Sequence, residues 1–224
     1  TAGGEFIVSQ GDQNSPLSPT NTRVVRQTTF GSAAVTPPQV GNSVLFLQRA
    51  NRKVREYIYQ FESDAYTAPD LAILSEHITE GGIVDMAYQQ EPDSIVWLVR
   101  ADGVLVGMTY ERAQDVVGWH RHIIGGADAK VESVAVIPNT TGSRDDLWAV
   151  VQRTINGQSV RYIEFLTPGM PEVTVNTTDA TYLDSMLTYN GGGVTSVFGL
   201  SHLEGQTVSV LANGAAHPDR TVSS

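Results

Sequence analysis

The chain contains no cysteine. That excludes disulfides, thiolate metal sites and cysteine nucleophiles together, and it leaves the redox compartment open. Basic residues are scarce, 14 Lys and Arg against 24 Asp and Glu, for a net charge of −10. Gripping nucleic acid through the general field needs clustered Lys and Arg, so an acidic chain of this kind is not expected to do it. No apolar run approaches the ~18 residues of a membrane-spanning helix, and no membrane insertion is expected. The segment Thr1 to Gln10 lacks the basic start and long apolar stretch of a secretory signal. A serine-nucleophile elbow, a phosphate loop and a dinucleotide fingerprint are all missing. Gly191-Gly192-Gly193 has no following Lys-Ser/Thr and is expected to be a turn. Neither a catalytic residue nor a cofactor is expected.

What is present points to a folded β protein. Hydrophobic residues make up 41% of the 224 residues and charged ones 17%, enough to build a core and too apolar for disorder. The 21 glycines and 10 prolines suit many tight turns. Three segments repeat one pattern. Ser43 to Arg49 is followed by a turn at Ala50 to Arg52 and by Lys53 to Tyr59. Ser94 to Arg100 is followed by Ala101-Asp102-Gly103 and by Val104 to Tyr110, and Asp146 to Arg153 by Thr154 to Gln158 and Ser159 to Phe165. Each is an apolar strand ending in Arg, a short turn, and a second strand ending in an aromatic. The spacing is 51 residues from Arg49 to Arg100 and 53 from Arg100 to Arg153. Such periods suggest four-stranded propeller-like meanders. Asp102-Gly103 and Asn156-Gly157 supply the positive φ angles of tight hairpins.

Gly82 to Gln89 and Val131 to Ile137 are expected as innermost strands, and Val116 to Ile124 as an outer strand. The first unit departs from the pattern. In place of an outer strand, Pro69 to Ile78 is expected to form a short helix, with Leu71, Leu74 and Ile78 at helical spacing. The predicted organisation is an all-β propeller-like region over 1–168 and a small β-module over 169–224, cut short at its end. In that module Tyr182 to Tyr189, Val194 to Phe198 and Thr207 to Leu211 are expected as strands, with Asn213-Gly214 as a hairpin turn. The strand at Gly3 to Val8, with nothing before it, and one just starting at Thr221 to Ser224 suggest an internal piece of a longer protein.

Few residues invite chemistry. His120 and His122 fall on one face of a strand, as paired metal ligands would, but spacing assigns no third ligand. Alternating polar residues on an outer strand account for them better. Asp145-Asp146 and Glu111 with Asp115 are carboxylate pairs, and adjacent Asp residues before a strand are more often turn formers. Arg49, Arg52, Lys53 and Arg55 form the one basic run, a candidate partner contact on a hairpin tip. Asn139-Thr140-Thr141 and Asn176-Thr177-Thr178 fit the short glycosylation pattern. Trp97, Trp119, Trp148, Tyr88 and Tyr110 would line a glycan site if gathered, although their repeat positions point to core packing.

Several stretches resemble a family of tail tubular, nozzle or stabilisation proteins of short-tailed bacteriophages and prophages. They include Gly3 to Val8, Arg26 to Ser32, Val44 to Arg49, Ala68 to Leu71, Glu76 to Ile78, Met86 to Pro92, Trp97 to Gly103, Gly118 to His122 and Leu200 to Val208. The resemblance spans nearly the whole chain in order. It implies a virion protein made in the bacterial cytoplasm, in a homo-oligomeric ring with other tail proteins. DNA would pass through the ring without sequence-specific binding. The family implies assembly rather than chemistry. The alternatives are a propeller-type module binding a cell-surface glycan or host receptor, and a polysaccharide-degrading enzyme with paired carboxylates in a groove.

Overall fold

A computed structural model describes residues 1–11, 14–168 and 181–223. Its architecture is all-β, with every strand pairing antiparallel. A ribbon of β1 (Glu5–Gln10) and β2 (Thr22–Thr28) comes first. The first sheet follows in the order β3 (Gln39–Val40), β4 (Ser43–Leu47), β5 (Val54–Gln60), β6 (Ala65–Thr67). The second is β7 (Ile83–Gln89), β8 (Ile95–Arg100), β9 (Leu105–Glu111), β10 (Val116–His122). The third is β11 (Lys130–Pro138), β12 (Asp145–Ile155), β13 (Gln158–Leu166). A second ribbon, β14 (Thr207–Ala212) with β15 (Ala215–Thr221), ends the described chain.

The second sheet is the middle of the stack, and its sequence explains why. β8 reads Ile-Val-Trp-Leu-Val-Arg, apolar on both faces of the pleat, the signature of a strand buried on both sides. Val96 and Leu98 join Leu45, Leu47, Val54, Met86, Val106 and Met108 in one core. Trp97 and Val99 point the other way, to Leu105, Val131, Leu147 and Val151 in a second core. Fully burying each such side chain contributes roughly 1.5–3 kcal/mol.

Successive sheets are joined by the same backbone bonds. Ile83 N donates to the Asn51 carbonyl at 2.7 Å, and Val131 N to the Gly103 carbonyl at 2.9 Å. Within each unit, Arg49, Ala101 and Thr154 donate in turn to Gly31, Gly82 and Ala127. These bonds place Gln48, not Arg49, in the position of Arg100 and Arg153. The repeat is therefore shifted by one residue in its first unit. Arg100 donates to the Ile78 carbonyl and Arg153 to that of Gly125, while the Gln48 amide oxygen accepts from Arg55 and Arg49 lies exposed.

Three local expectations are corrected. The helix is only Glu76–Thr79. Its expected first turns instead pair with β5, Glu56 N donating to Pro69 and Leu71 N to Val54. Leu74, expected on the apolar face, is 92% exposed. With β6 this segment supplies the outer strand that the first unit was expected to lack. In the C-terminal part, 182–189 and 194–198 form no strand, because neither run meets a partner edge. β14 and its turn are as expected, Asn213 and Gly214 both having positive φ, the two-residue hairpin geometry. Thr221 ends β15 and does not begin a new strand. The 168/169 boundary and the pattern at Asn176 fall at or within 169–180, outside the described residues.

Candidate functional site

His120 and His122 are brought together. The register sets His120 opposite Gly107 and His122 opposite Leu105, facing the third sheet beside Trp97. The two imidazoles are 5.0 Å apart, and the Trp97 ring lies 5.7 Å from the first and 5.3 Å from the second. Gly107 makes this possible, since a Cβ there would lie 2.0 Å from His120 Nε2. Trp97 Nε1 donates to Gln89 Oε1 at 2.9 Å. His122 Nε2 is buried without a hydrogen-bond partner among the described residues. Burial holds both histidines below the ordinary imidazole range, and His120 adds to the effect on His122. Among the described residues, no group of three or more His, Cys, Asp or Glu could hold a metal. The cluster is an aromatic stack on one wall of a cleft of about 470 Å³ that also includes Asp93, Arg144, Asp145 and Tyr182.

The carboxylates singled out in the sequence do structural work. Asp145 accepts from Gln90 N and Glu91 N, tying the third sheet to the β7–β8 turn. Asp146 pairs with Arg144 at 2.7 Å. Glu111 accepts from Ala113 N, and Asp115 takes a left-handed turn position, φ 55°.

The basic run divides. Lys53 pairs with Asp70 at 2.8 Å and Glu76 at 3.3 Å. The Arg55 guanidinium lies 3.5 Å over the Phe30 ring and donates to Gln48 and the Ala68 carbonyl. Arg49 and Arg52 remain exposed. Arg55 borders a groove of about 990 Å³ with Phe30, Tyr59, Phe61, Tyr66 and Arg112.

Sequence reasoning missed Glu56. Strand alternation from Val54 aims it into the interface between the first two sheets, where it is fully buried. It accepts from Tyr110 Oη at 2.7 Å and Ser43 Oγ at 2.9 Å, and Arg112 Nε lies 3.3 Å away. Burial, with the neighbouring Glu56 carboxylate adding, pushes the Tyr110 hydroxyl up to about 12, so it stays a donor. The available signal was a Glu on the inward phase of the strand, between Val54 and Ile58.

The aromatics do not converge. Trp97 and Tyr110 face different cores, Trp119 donates to the Leu71 carbonyl, and Trp148 packs on Phe165. No family model matches this chain. None of the curated proteins matches it at a significant level.

Proposed function

We propose that the chain is a structural component of the tail of a short-tailed bacteriophage or prophage, in a tubular or nozzle assembly around a DNA channel. The observation that carries this is the repeated joint. Asn51 and Gly103 each use a hairpin-tip carbonyl to hold the first strand of the following sheet. A scaffold that must transmit shape through a ring of subunits needs repeating, rigid joints of this kind. The joint also supports reading the three sheets as successive propeller-like blades. The sequence resemblance supplies the tail setting. A net charge of −10 suits a wall along which DNA slides without sticking. Negative-stain imaging of the full-length protein tests the reading: rings are expected, and monodisperse monomers overturn it. Strong retardation of DNA at physiological salt would overturn the non-stick wall.

A second reading, a module for a cell-surface glycan, is favoured by the groove bordered by Phe30, Tyr59, Phe61 and Tyr66. Exposed rings beside arginines offer stacking and hydrogen bonds to sugars. A sugar array combined with a turbidity assay separates the readings. Binding without clearing supports the module, clearing an enzyme, and silence in both the scaffold.

A further inference from the structure

The chain contains three Asn-Gly steps, Asn156-Gly157, Asn190-Gly191 and Asn213-Gly214. This dipeptide carries its own chemistry. Glycine has no side chain to shield its backbone nitrogen, so that nitrogen can attack the side-chain carbonyl carbon of the preceding Asn. The new N–Cγ bond closes a five-membered succinimide, and the Cγ–Nδ2 bond breaks to release ammonia. Water then opens the ring, leaving Asp or its β-linked isomer. Only water is consumed, and nothing is oxidised or reduced. The barrier depends on geometry, because the attacking nitrogen must come close to the carbon along the right line.

Two of the steps are held away from that geometry. Asn156 and Gly157 are the loop residues between Ile155 and Gln158, which pair across β12 and β13, and both have positive φ, 48° and 74°. Asn213 and Gly214 repeat the arrangement between Ala212 and Ala215, with φ of 52° and 78°. Two consecutive positive φ angles in a two-residue loop make a type I′ turn, in which ψ of the first residue lies near about +30°. At that angle the Gly nitrogen lies almost opposite the Asn Cβ across the Cα–C bond, and the ring cannot close. The turn must open first, and an opening that costs about 1.4 kcal/mol slows closure about tenfold.

Asn190 is under no such constraint. It is exposed, outside every strand, and its φ is not positive. Neither its side chain nor the Gly191 N–H has a hydrogen-bond partner among the described residues. A Cβ at Gly192 or Gly193 would meet nothing within 4 Å, so the chain just beyond is free to turn. Tyr189 Oη donates across the bend to the Gly192 carbonyl at 3.1 Å, which leaves the Gly191 nitrogen unbonded.

We propose that Asn190 is a site of spontaneous, enzyme-free deamidation in the folded protein, while Asn156 and Asn213 are protected by their turns. Conversion adds one negative charge to a net charge of −10. It breaks no hydrogen bond of the Asn190 side chain, so the fold persists and the extent of conversion follows the age of the chain. The proposal does not depend on the tail reading.

The test incubates the 224-residue chain at mildly alkaline pH, folded in buffer or unfolded in urea. Peptide mapping by tandem mass spectrometry, with separation of Asp from its β-linked isomer, follows each Asn. In the folded chain Asn190 is expected to convert at least about tenfold faster than Asn156 and Asn213. In urea the gap should close, with the two turn sites accelerating to match Asn190. Asn190→Gln closes a five-membered ring no longer, so it should remove the fast phase and leave the melting temperature unchanged. A smaller gap in the folded chain, a gap that persists in urea, or a fast phase that survives Asn190→Gln would each overturn the proposal.

Discussion

Asn51 and Gly103 hold the same place in successive sheets. Both have positive φ, 60° and 90°, and both offer a carbonyl to the first strand of the next sheet. They differ in tolerance. A Cβ at Gly103 would lie 2.5 Å from Lys130 Cβ and 2.9 Å from Lys130 Cα. Gly103→Ala is therefore expected to lose about 2–3 kcal/mol through strain and displacement of β11. Asn51→Gly should change stability by less than ~1 kcal/mol, since glycine adopts the same φ freely. Urea unfolding midpoints compare the two, and equal losses would contradict the account of the joint.

Gly107 and His120 form a pair of absent and present side chains. Gly107→Ala should destabilise by about 1–3 kcal/mol by driving the imidazole off the strand. Adding His120→Ala should relieve most of that steric loss, so the two substitutions should be strongly non-additive. A double-mutant cycle with independent, additive effects would show that the ring moves away freely.

Removing the hydroxyl in Tyr110→Phe takes a donor from a carboxylate with no exposure to water. The expected loss is about 1–3 kcal/mol. Ser43→Ala at the same carboxylate should cost less, because its hydroxyl is the weaker of two neutral donors to a group that Arg112 also faces. Thermal melts of both variants, with calorimetric enthalpies, decide the order.

His120 and His122 make stability depend on pH in a fixed direction. Burial lowers both imidazoles in the folded chain, while in the unfolded chain they titrate near ~6.5. Below that value the unfolded state binds protons that the folded state refuses. Stability is thus complete above ~6.5 and falls as pH drops toward the lowered folded values. Denaturation midpoints between pH ~7.5 and ~5.5 should decline in wild type and decline less in His120→Gln/His122→Gln, the remaining slope coming from His202, which burial also holds low. Trp97, between the two rings and the core, should report the same transition in its fluorescence. A wild-type slope that survives the double substitution undiminished would place the titrating groups elsewhere.

The sequence showed the strands of the second and third sheets well, because their apolar runs and Asp-Gly or Asn-Gly turns are local signals. It placed His120 and His122 on one face by alternation alone. It missed the outer strand of the first sheet, since Pro69 to Leu71 carries helical spacing and its partner, β5, lies over ten residues earlier. It also set the repeat one residue out of register in the first unit. Arg49 looks like Arg100 in the chain, but hydrogen bonds to Gly31 and Gly82 define equivalence, and those partners are not adjacent in sequence.

By itself, then, the sequence determined the all-β character, the meander units and their turns, because alternation and positive-φ residues act over a few neighbours. Only the tertiary structure decided which residue closes each joint, that Glu56 is buried beneath Tyr110, and that Lys53 and Arg55 are already paired. Each of these depends on which sheet lies against which, and side chains distant in the chain settle that by filling one another's space.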